Sequence, residues 1–179
     1  LPGDIGAVKG KGLFSRLLTS LFAPEADRHH YFILWRWLGD DWIILESLGH
    51  KGLSVGLLSF YRGDDVIFYR VDCPDDLRFQ APLGLIEYGR SKYDRLLILK
   101  IIAGALAALA RMIFVEGRLR KLRAEDLPYA TNSALVCTEA VDVAYLSVGV
   151  SLVGDVVPLP SALRQAELDG VIYLIGEFG

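Results

Sequence analysis

Hydrophobic and polar positions divide the chain into a strand-rich first third and a more helical remainder. Asp4-Ile5-Gly6-Ala7-Val8 is an almost wholly apolar run of strand length. After Gly10-Lys11-Gly12, the apolar residues of Leu13–Phe22 recur at helical spacing, and Ala23-Pro24 ends that helix. His30–Leu38 and Trp42–Leu48 are rich in aromatic and β-branched residues and flank Gly39-Asp40-Asp41, the pattern of a hairpin. Lys51–Val55 and Val66–Val71 read as further strands. Asp72-Cys73-Pro74-Asp75-Asp76 reads as a helix start, with proline at the first helical position and carboxylates in the first turn.

From about Tyr93 to Leu122 the pattern predicts one long helical stretch, with Gly104 and Gly117 as its weak points. A second helix is predicted from about Ser133 to Leu146, where Thr131, Asn132 or Ser133 can cap the exposed N–H groups. Val156–Leu163 reads as a loop leading into a short helical turn, and Val171–Ile175 closes the chain as a strand. The fold class expected is α+β, an antiparallel sheet or barrel packed against separate helices.

A length of 179 residues suits one domain, 1–179, large enough to bury a core without disulfides or metals. Net charge −3 supplies no excess of cations to displace counterions, so nucleic acid is not expected as a partner. With two cysteines, Cys73 and Cys137, there is no disulfide scaffold and no CxxC zinc pattern. Leu1–Val8 carries no signal-peptide pattern, and the compartment stays open.

Cys137 lies in or beside the first turn of the predicted second helix, where free N–H groups and the helix dipole favour a thiolate. Free cysteine is also among the most buried residue types, so position alone leaves a plain core role open. Cys73 is the rival, but Asp72, Asp75 and Asp76 surround it, and negative charge opposes ionisation. A thiolate nucleophile needs a base, and histidine titrates in the right range. His29 and His30 begin a strand, and successive strand side chains point to opposite faces, so only one of the two can look into a given site. Glu46 follows four apolar residues on the partner strand. Its carboxylate is either a solvated strand end or a buried acid in need of a partner such as an imidazole.

Several short patterns occur in a suggestive order: Leu1-Pro2-Gly3-Asp4-Ile5, His30-Tyr31-Phe32-Ile33-Leu34, Glu46-Ser47, Lys51-Gly52-Leu53, Tyr93-Asp94, Cys137-Thr138-Glu139-Ala140-Val141 and Pro158–Leu163. The series resembles the circularly permuted NlpC-type papain-like amidases, the YiiX-like group related to lecithin:retinol acyltransferase. In that group the histidine strand comes first and the cysteine helix last. The resemblance implies a permuted papain-like fold with Cys137 as nucleophile at a helix N-terminus, His30 as base and Glu46 as the orienting residue. It selects His30 over His29 because Tyr31-Phe32-Ile33-Leu34 then follows the histidine directly. It places Tyr93, Asp94 and Asp4 about the cleft. Arg28 or His29 stands where the family has a small polar residue before the histidine, and Thr138 where serine is common after the cysteine. The activity implied is cleavage or transfer of an acyl group through a thioester, on peptide-like amides, cell-wall peptides or acyl-lipids, with no cofactor or metal.

The mean hydropathy of +0.36 raises a membrane question. Leu96–Val115 has spanning length, but Lys100 and Arg111 interrupt it, each costing about 2.5–3.5 kcal/mol near a bilayer centre. A buried or amphipathic helix is the expectation, with peripheral membrane contact through 96–123 as a further option because Arg111, Arg118, Arg120, Lys121 and Arg123 cluster there. Two alternatives to a hydrolase follow: a non-catalytic lipid- or protein-binding relative, and a membrane-associated acyltransferase.

Overall fold

A computed structural model describes residues 1–9, 28, 30–48, 51–87, 137–154 and 160–178, with isolated helical positions at 103, 104 and 107. Among the described residues six strands form one sheet: β1 (Ile5–Val8), β2 (His30–Trp37), β3 (Trp42–Leu48), β4 (Gly52–Leu57), β5 (Val66–Val71) and β6 (Ile172–Phe178). A 3₁₀ turn, Leu58–Tyr61, follows β4. Three helices are described: α1 (Asp75–Ile86), α2 (Cys137–Leu146) and α3 (Pro160–Leu168). The class is α+β.

The strand order is β4-β3-β2-β1-β5-β6, antiparallel at every pairing, so the described sheet is open, with β4 and β6 at its edges. The central place of β1 explains its composition. Paired with β2 on one side and β5 on the other, all four of its residues are buried, and a polar side chain on either face would need a partner. Edge strand β6 shows the opposite pattern, with most of its residues partly or fully exposed.

Each face of the sheet has its own apolar cluster. Ile5, Ala7, Tyr31, Ile33, Leu45, Ile67 and Tyr69 point toward the helices and pack with Ala140, Val141, Ala144 and Tyr145 of α2. Val8, Phe32, Leu34, Ile44 and Val66 point the other way and pack with Leu58, Tyr61 and Phe68. Helix α2 lies on β2 and β3 and against α1, while α3 lies on β6. The Tyr145 hydroxyl donates to the Gly3 carbonyl at 2.6 Å, fastening α2 to the chain just before β1. The Asp142 carboxylate accepts from the Leu152 N–H at 3.2 Å and holds the turn that follows α2.

Three boundaries differ from the sequence expectation. Pro74 is the N-cap of α1 rather than its first helical residue, leaving Asp75 and Asp76 in the first turn. The short turn expected near 160 is a helix of nine residues. The last strand runs on to Phe178 because it pairs along the length of β5. The predicted helices Leu13–Phe22 and Tyr93–Leu122, apart from helical positions 103, 104 and 107, lie outside the described residues, as does the membrane-contact segment 96–123. Among the described residues no helix is long and apolar enough to cross a membrane.

Gly6 is required by a close approach. It stands opposite Phe32, and a Cβ there would lie 2.1 Å from the ring. We expect Gly6→Ala to push the Phe32 ring aside and destabilise the fold by about 1–3 kcal/mol, the usual cost of overpacking. Urea denaturation followed by tryptophan fluorescence measures this.

Candidate active site

The site is assembled at the beginning of β2. Just before the strand, the buried Arg28 donates to the Asp65 backbone carbonyl at 2.7 Å and pairs with its carboxylate at 2.8 Å, anchoring the chain beside the start of β5. His30 is the first residue of β2 and lies opposite Val8, the last residue of β1. By strand alternation its side chain falls on the face of Val8 and Phe32, and from the strand's first position the ring still meets Cys137 of the helical layer.

Glu46 stands opposite Phe32 on β3, so His30 and Glu46 are diagonal neighbours on one face of an antiparallel pair, within reach of long side chains. His30 Nε2 and Glu46 Oε2 are 2.7 Å apart, and the two side chains are only 20% and 6% exposed. The carboxylate that the sequence left between two roles is the buried and partnered one. Room for it comes from β4, where a Cβ on Gly56 would lie 2.9 Å from Glu46 Oε1.

Cys137, the first residue of α2 as described, meets the imidazole from the helical layer and hydrogen-bonds to the His30 side chain. With Nε2 engaged by Glu46, Nδ1 is the ring nitrogen left for the thiol. The sulfur also accepts from the backbone N–H groups of Tyr31 and Thr138. Cys137, His30 and Glu46, drawn from a helix and two strands, thus form one continuous hydrogen-bonded chain.

Its electrostatics are those of an ion pair. Burial pushes the Cys137 thiol up, but the hydrogen bond and positive charge of His30, together with the two backbone N–H donors, bring it below the usual thiol range. Burial likewise pulls His30 down, and the bonds and negative charges of Cys137 and Glu46 overcome it, raising the imidazole to about 9. For Glu46, burial raises the carboxyl, yet hydrogen bonds from His30 and Tyr61 and the charges of His30 and Lys51 leave it below the ordinary range. Cys73 behaves oppositely. Burial raises its thiol, Arg78 offsets this in part, and Asp72, Asp75 and Asp76 raise it further.

Nothing in the sequence pattern singles out Tyr61. It stands at the end of the 3₁₀ turn, and its hydroxyl donates to Glu46 Oε2 at 2.5 Å. Its ring stacks on Phe32 at 5.2 Å between centroids and on His30 at 5.9 Å. A polar aromatic residue just after a strand that pairs with the Glu46 strand was the available signal. It identifies a contact only once the strand order is known.

The remaining expected residues lie elsewhere. Asp4 is fully buried, and its two oxygens accept from Arg70 Nε and Nη2 at 2.8 and 2.7 Å. Its backbone pairs with Leu34, four residues along β2 from His30, a separation of about 13 Å in a strand. Asp4 lines an open cavity of about 430 Å³ with Leu34, Trp37, Trp42 and Arg70. A buried carboxylate here answers the Arg70 guanidinium. Tyr93, Asp94 and His29 lie outside the described residues.

Glu46→Gln removes the negative charge that favours the imidazolium. The His30 pKa should then fall from about 9 toward the ordinary histidine range. A pH titration of the imidazole by NMR, with His30 assigned by its loss in His30→Gln, checks this direction.

A scan of known family models and a search of curated proteins returned no match to this chain.

Proposed function

We propose that this chain is a cysteine hydrolase or acyltransferase of the permuted papain-like kind, acting on an amide or ester carbonyl through a thioester. One observation carries the reading: a single imidazole bonds at once to a buried carboxylate and to a cysteine whose thiol lies below its usual range. The contrast with Cys73, whose thiol is raised, supports a specialised role for Cys137. The resemblance to the YiiX-like amidases supports the same three residues, with the histidine strand preceding the cysteine helix in the chain.

In this mechanism the Cys137 thiolate attacks the substrate carbonyl carbon, forming a C–S bond and placing the carbonyl electron pair on oxygen. Backbone N–H groups at the start of α2, that of Cys137 among them, stabilise this oxyanion. As the tetrahedral intermediate collapses, the bond to the leaving amine or alcohol breaks and His30 delivers its proton to the departing atom. The neutral imidazole then takes a proton from water or another acceptor, which attacks the thioester. Collapse releases the acyl product and restores thiolate and imidazolium. Glu46 keeps the ring facing the sulfur and stabilises its charged form. Peptide-like amides, cell-wall peptides and acyl-lipids are the substrate classes that the resemblance suggests.

Iodoacetamide at pH 6 is expected to alkylate Cys137 at least about tenfold faster than Cys73, because the thiol of the former is lowered and that of the latter raised, leaving Cys137 the larger thiolate fraction. Peptide mass mapping reads both sites. Equal rates would remove the basis for a catalytic thiol. On any amide or ester that the protein cleaves, Cys137→Ala should abolish turnover. The rate should fall on the alkaline side with a limb near pH 9, as His30 loses the proton it must donate. Because the thiol is depressed, the acid limb should lie below the ordinary thiol range.

A further inference from the structure

We propose that Tyr61 is a positioning residue of this site: its hydroxyl fixes the Glu46 carboxylate against His30 and takes up part of the carboxylate's negative charge. The inference rests on the cysteine-hydrolase reading above and adds a fourth member to the hydrogen-bonded chain.

The geometry is specific. Glu46 Oε2 accepts from the Tyr61 hydroxyl at 2.5 Å and faces His30 Nε2 at 2.7 Å, so one oxygen serves both neighbours. A carboxylate on a strand can rotate about its side-chain bonds, and the imidazole alone restrains it from one direction. Tyr61 supplies the second restraint from the 3₁₀ turn beyond β4. The tyrosine is itself held, since its ring lies nearly parallel to Phe32, at 14°, and Phe32 rests on Gly6. The stacking of Tyr61 on His30 covers part of the imidazole from the same side.

The charged groups about this chain come from several elements. Cys137 faces His30 from α2, Lys51 acts on Glu46 from just before β4, and Asp64 acts on Tyr61 from the loop before β5. Burial pushes the Tyr61 phenol up, and the bond and charge of Glu46 push it further, so the phenol remains a donor throughout the working range. A neutral donor on a carboxylate withdraws charge from it. With the hydroxyl present, Glu46 therefore pulls less strongly on the imidazolium than a bare carboxylate would.

The test is an NMR titration of the His30 imidazole in the full chain, with thermal melts recorded alongside. Tyr61→Phe keeps the ring and its stacking but removes the donor. The His30 pKa is expected to rise by about half a unit, because the unshared charge of Glu46 holds the ring proton longer. Replacing Tyr61 with 2,3-difluorotyrosine, a stronger donor of almost the same shape, should move it down. This second protein keeps the test decisive if Tyr61→Phe fails to fold. A role confined to packing would move neither titration. Coincident titrations of substituted and parent proteins would overturn the role of Tyr61 alone, whereas a fall in Tyr61→Phe would retain its positioning of Glu46 and overturn the charge sharing. If instead His30 of the parent protein titrates near 6.5 and Cys137 alkylates like a free thiol, the ion pair itself is absent, and the role of Tyr61 goes with it.

Discussion

A single imidazole, that of His30, joins the two layers of this protein at the start of β2. One side of the ring belongs to the sheet, through Glu46, and the other to the helical layer, through Cys137. Burial alone would favour a neutral ring beside a neutral thiol. Two negative partners reverse that preference for the imidazole, and one positive partner with two backbone donors reverses it for the sulfur. Neither charge would be stable there without the other, so placing β2 against α2 is also what sets the chemistry of the site.

The sheet does more than display these groups. The diagonal relation of His30 and Glu46 follows from the antiparallel register of β2 and β3, and a slip of one residue would send one of them to the opposite face. Small residues on the flanking strands make the arrangement possible. Gly6 lets the Phe32 ring lie over β1, and Gly56 leaves space for the Glu46 carboxylate over β4. Phe32 then carries Tyr61, and Tyr61 reaches back to Glu46. The packing of the outer face and the order of the polar chain are one structure seen from two sides.

The two cysteines illustrate how surroundings rather than residue type decide reactivity. Cys73 stands two residues before α1, and Cys137 is the first described residue of α2. Cys73 is ringed by carboxylates that oppose a negative sulfur, and the nearby Arg78 compensates only partly. Cys137 faces an imidazole and two backbone donors instead. The acidic neighbours of Cys73 are adjacent in the chain, which is why its poor suitability can be read without a structure.

The sequence by itself determined most of the sheet. Hairpin residues Gly39-Asp40-Asp41 and the apolar runs on either side required β2 and β3 to pair, because no other local arrangement buries those side chains while satisfying their backbone groups. The alternation rule also required that His29 and His30 could not both face one site. The sequence could not choose between burial and solvation for Glu46, did not name a partner for Asp4, and gave no hint of Tyr61. Those outcomes depend on groups far apart along the chain: a β1 to β5 pairing that offers Arg70 to Asp4, a helix that brings residue 137 to residue 30, and a turn that folds residue 61 over residue 46. Local pattern fixes which backbone bonds a segment can make. The charge on a buried group depends on its neighbours in space, and only the folded chain supplies those.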